Sequence, residues 1–111
     1  MRTPEETALL IALLLKRSEQ TRARISEATI RKLSGRRHIR SAFVSMLLQH
    51  LDDLGLNMSE LSRGGYGVIK ASVLEGAPAV TAKKYLDQGK IDFDDVREEL
   101  HEELDSPDDD E

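Results

Sequence analysis

Hydrophobic positions along the chain keep a helical period at first and a strand-like one later. Thr3-Pro4-Glu5-Glu6 has the form of a helix start: a Thr cap, Pro in the first helical position and Glu in the third. The apolar run from Ala8 to Leu15 follows, and the spacing predicts a helix to about Arg22. That run is wider than one buried face needs, so the helix is either central to the core or shared with a partner. Ser26 then caps a short helix, Glu27 to Leu33, with Ile30 and Leu33 on one face, and Ser34-Gly35 breaks it. A longer helix from about Arg37 to Leu54 carries Ile39, Phe43, Leu47, Leu51 and Leu54 on one stripe. Val44 and Leu48 broaden the stripe, and Gly55 stops the helix.

The period changes after Gly55. Leu56 to Ser62 alternates apolar and polar, Arg63-Gly64-Gly65-Tyr66-Gly67 is a turn cluster, and Val68 to Leu74 is rich in β-branched residues. Strand, Gly-rich turn and strand together predict a hairpin. Pro78 opens a short helix over about Ala79 to Gln88, ended by Gly89. Asp92 caps a last helix to about Leu104, with Phe93, Val96, Leu100 and Leu104 on one side. Residues 106–111 contain no apolar side chain and are expected to be disordered. The fold class is therefore mainly α with a small β-hairpin and C-terminal helices. The chain divides into a first domain at 1–86, an acidic C-terminal helix at 87–105 and an acidic tail at 106–111.

Charge alters this picture more than composition does. The net charge of −5 is the sum of +6 over residues 1–50, zero over 51–86 and −11 over 87–111. An acidic average thus conceals a basic half with the electrostatics to meet phosphate. Cysteine is absent, which removes disulfides, thiolate metal sites and Cys nucleophiles. Among the histidines, His38, His50 and His101 fall on different elements and lack the spacing of a shared metal face. No nucleophile, base and orienting group occur in a recognisable set, so neither an enzyme nor a cofactor or metal is expected. The glycine cluster is not a phosphate loop, because no Gly-Lys-Ser/Thr follows it, and it is not a dinucleotide fingerprint. The longest apolar run is too short to span a membrane, and Pro4, Glu5 and Glu6 before it argue against a signal peptide. The expected setting is soluble and cytoplasmic.

Candidate chemistry gathers at the joint between the second and third helices. A short helix, a Gly-containing turn and a long helix make a helix-turn-helix plan, whose second helix meets the DNA major groove by its N-terminus. That N-terminus carries Arg36, Arg37, His38, Arg40 and Ser41. Cations there oppose the helix macrodipole at about 0.3–1 kcal/mol each, which favours a contact with an anionic partner over plain solvation. Opposite the Ile39-Phe43-Leu47 stripe lie Arg37, Ser41, Ser45 and Gln49, a polar face without carboxylates. An acidic protein partner and a solvated surface remain the alternatives. For Arg63 to Gly67 the alternative is a plain hairpin turn.

Three helices followed by a hairpin, with the Ser34-Gly35 turn and the Leu54-Gly55 stop, resemble the winged helix-turn-helix family over about residues 4–75. The resemblance implies a DNA-binding module in which the third helix reads bases and the hairpin wing touches the backbone. It implies that Arg36, Arg37, His38 and Ser41 face the groove, with Arg63 at the wing tip and Tyr66 beside it. The expected function is a transcriptional regulator that binds double-stranded DNA as a homodimer through the first or the last helix. Two alternatives stay open: a winged-helix protein-interaction adaptor, and a small inhibitor or antitoxin acting through its acidic segment. That segment is a solubilising helix, a dimerisation helix, a site for a protein partner or a competitor that folds back on the basic helix start.

Overall fold

A computed structural model describes residues 1–104 of the chain. Helix α1, Pro4–Ser18, starts on a complete capping box. The Glu6 amide donates to Thr3 Oγ1 and the Thr3 amide donates to Glu6 Oε1, both at 3.0 Å. The helix stops four residues earlier than its apolar run suggested. Glu19 takes a left-handed conformation (φ 59°), and Gln20 N–H returns to the Leu15 carbonyl at 3.1 Å. That early stop releases residues 22–25 to form strand β1, Arg22–Ile25, which the helical reading to Arg22 had not separated.

Helix α2, Glu27–Ser34, follows at once, capped by Ser26, whose Oγ accepts from the Thr29 amide at 3.1 Å. Gly35 ends it with φ 69°, and the Gly35 and Arg36 amides share the Arg31 carbonyl. Helix α3, Ser41–Asp53, begins four residues later than the apolar spacing implied. Arg40 is its N-cap, without a side-chain cap bond, so Arg36 to Ile39 form a connecting segment and not a first helical turn.

Strands β2, Leu56–Glu60, and β3, Tyr66–Lys70, form the hairpin. Both are shorter than expected, and residues 71–74, read as the end of a strand, lie in helix α4, Ala71–Glu75. The sheet is antiparallel with order β1-β3-β2, so the last strand lies between the two others. Ala23 and Met58 both oppose Val68 in register, while Ile25 and Glu60 both oppose Tyr66. The architecture is thus mixed, with helices and a small sheet, and the third strand is its main departure from a helical domain with a hairpin.

One face of each element supplies the core. Ala8, Ile11 and Leu15 of α1, Ile30 of α2, and Phe43, Leu47 and Leu51 of α3 are buried together with Ile25, Leu56, Met58 and Val68 of the sheet. Ile39 is only partly buried, and Leu54, placed on the stripe by its spacing, is 42% exposed. Contacts divide the chain into Met1–Ala77, which holds the whole core, and a second unit from Pro78. The second unit contains α5, Ala82–Tyr85, a single 3-10 turn, Gln88–Lys90, and α6, Phe93–Leu104. The first two replace the longer helix expected over 79–88. Asp92 caps α6, accepting from the Asp94 amide at 2.9 Å. The tail expected at 106–111 lies outside the described residues. No described helix is long and apolar enough to cross a membrane.

Candidate nucleic-acid interface

The connection from α2 to α3 concentrates the basic residues, and its geometry separates them into two kinds. Arg36 turns inward. Its guanidinium carbon lies 4.1 Å from the centre of the Phe43 ring, and its Nη2 donates to the Arg2 carbonyl at 3.0 Å. Its Nε is buried without a partner. Arg2 completes the strap: its amide donates to the Ser34 carbonyl and its Nη1 to the Leu33 carbonyl, both at 2.7 Å. A cation on the last carbonyls of α2 is also favourable at that helix's negative end. Arg36 and Arg2 therefore hold the connection in place.

Arg37, His38 and Arg40 are exposed, whereas Arg36 is partly buried. With Arg36, Ala42, Phe43 and Met46 they line an open cleft at the start of α3. Helix α3 also presents a polar face. Ser41, Ser45 and Gln49 are exposed on the side away from Phe43, Leu47 and Leu51. Small residues at the first turns permit close approach of another surface, and carboxylates occur only in the last turn, at Asp52 and Asp53.

At the hairpin tip, the Leu61 amide donates to the Gly65 carbonyl and the Gly64 amide to the Leu61 carbonyl, both at 3.0 Å. Gly65 has φ 76°, and a Cβ there would meet the Ile25 carbonyl oxygen at 3.0 Å, so the turn depends on this glycine. Arg63 is exposed on the tip, whereas Tyr66 is partly buried at the start of β3 and belongs partly to the core. Burial pushes the Tyr66 phenol above its ordinary range, and the carboxylates of Glu60 and Glu27 add to the rise.

Strand β1 adds exposed cations outside the expected set. Arg22 and Arg24 alternate with the inward-facing Ala23 and Ile25 along β1 and border a shallow surface with Ser59 and Ile69. Their signal in the sequence is the strict alternation of Arg-Ala-Arg-Ile, four residues long and hidden behind the stronger helical pattern. Among the described residues, no cluster of His, Cys, Asp or Glu is placed to hold a metal ion.

Comparison with known proteins gives no match to a family model, a curated protein or a solved structure.

Proposed function

We propose that residues 1–77 are a winged helix-turn-helix module that binds double-stranded DNA, and that the protein is a transcriptional regulator. The observation that carries this reading is the exposure of Arg37, His38 and Arg40 just before α3, together with the exposed carboxylate-free face of Ser41, Ser45 and Gln49. Element order supports the same reading, because α1-β1-α2-α3-β2-β3 with sheet order β1-β3-β2 is similar to the winged-helix plan. On this reading α3 enters the major groove, its leading cations meet phosphate or guanine, and Arg63 on the hairpin tip touches the backbone. Arg36 acts indirectly, by setting the path of the chain between α2 and α3. The active form is a homodimer, which presents two α3 helices to successive turns of one duplex.

Charge reversal tests the assignment. Arg37→Glu or Arg40→Glu abolishes binding to a duplex in a gel-shift titration and leaves the helical circular dichroism intact. Unaltered binding by both variants would remove α3 from the interface.

A second reading concerns the segment after Ala77. Val80, Tyr85, Leu86, Phe93 and Leu100 are each more than half exposed, and residues 78–111 carry a net charge of −9. An acidic segment with apolar side chains unburied suits a basic protein partner. A protein adaptor of this kind retains its partner after charge reversal at Arg37 and has no DNA affinity to lose.

A further inference from the structure

Helix α1 has a second apolar face that the core does not use. Ala8, Ile11 and Leu15 are buried, whereas Leu9 and Leu14 are 50% and 41% exposed and Leu10 and Leu13 are half-buried. Spacing by three and four puts Glu6, Leu10, Leu13 and Arg17 on one outward line, flanked by Leu9 and Leu14. This line is symmetric about the midpoint between Ile11 and Ala12. Residues equally distant from that point match in size or oppose in charge: Leu10 with Leu13, Leu9 with Leu14, and Glu6 with Arg17.

We infer that α1 pairs with α1 of a second copy of the chain, antiparallel, about a two-fold axis through that midpoint. The self-complementary pattern is what an isologous contact requires, since each residue meets its mirror position on the partner. Two Glu6–Arg17 ion pairs then close the ends of a leucine seam. A parallel pairing would set Glu6 against Glu6 and Arg17 against Arg17, so the charges select the orientation. Both charged side chains are available for this. Glu6 uses one carboxylate oxygen in the cap, and Arg17 is exposed and has no ion pair among the described residues.

This deepens the dimeric part of the proposed function, and its test needs no DNA. Sedimentation velocity of the full chain over a concentration series should give twice the monomer mass of 12.4 kDa. Leu13→Glu, which lies outside the core, should give the monomer with an unchanged helical circular dichroism, its melt no longer dependent on concentration. Glu6→Arg and Arg17→Glu chains should each self-associate less than wild type, and an equimolar mixture should recover the dimer, because only the mixed pair restores both ion pairs. Wild-type mass at 12.4 kDa throughout, a dimer indifferent to Leu13→Glu, or a mixture no tighter than its components would each overturn the antiparallel seam. A duplex titration judges DNA binding separately, so a monomer that binds DNA leaves that reading standing.

Discussion

The guanidinium of Arg36 stacks on Phe43 and donates to the Arg2 carbonyl, while the adjacent Arg37 has its side chain in solvent. Truncation separates these roles. Arg36→Ala removes a cation–π contact of about 0.5–1 kcal/mol and a hydrogen bond of about 1 kcal/mol. It should lower the thermal midpoint, whereas Arg37→Ala should shift stability by less than about 0.5 kcal/mol and weaken DNA binding alone. Equal loss of stability in both variants would contradict the division. Nothing in Arg-Arg-His-Ile-Arg distinguishes the two arginines. The partners that do so are the Phe43 ring and the carbonyl of Arg2, which lies 34 residues earlier in the chain. By contrast, Ser41, Ser45 and Gln49 were legible, because the buried stripe of Phe43, Leu47 and Leu51 fixes the opposite face of the helix by period alone.

In residues 1–77 element boundaries followed the sequence where a cap or glycine marks them, whereas Gly89, expected to end a helix, lies inside the 3-10 turn. Thr3 and Ser26 start α1 and α2 as their side chains dictate, and Gly35 ends α2 in the left-handed region. The end of α1 has no such mark. Glu19 adopts φ 59° at a position where glycine is the usual residue, so the apolar run appeared to continue through β1. Glu19→Gly should therefore stabilise the fold by up to about 1 kcal/mol in a denaturant titration, and a loss of stability would show that the side chain contributes something else. Gly65→Ala should act in the other direction, by about 1 kcal/mol or more, because its φ and the nearby Ile25 carbonyl both exclude a Cβ. The start of α3 was misplaced for a related reason. Ile39 keeps the helical spacing of Phe43 while lying in the connection, and Arg40 offers no capping oxygen to announce the first turn.

For the molecule as a whole, charge and packing divide at the same place. Among the described residues, all buried apolar side chains lie before Pro78, and residues 1–77 carry +4 against −9 for residues 78–111. A chain ending at Ala77 should melt as the full chain does. It should also bind a duplex more tightly at low salt, with the gain vanishing as salt screens the acidic segment; equal affinity at every salt concentration would make that segment electrostatically irrelevant. The most direct test of the central claim is the anisotropy of a labelled random duplex titrated with the full chain across a salt series. Binding should be present at low salt and weaken steeply with added salt, with a slope reduced by about one on Arg37→Ala as a phosphate contact is lost. No binding at low salt, by the full chain or by residues 1–77, would contradict it.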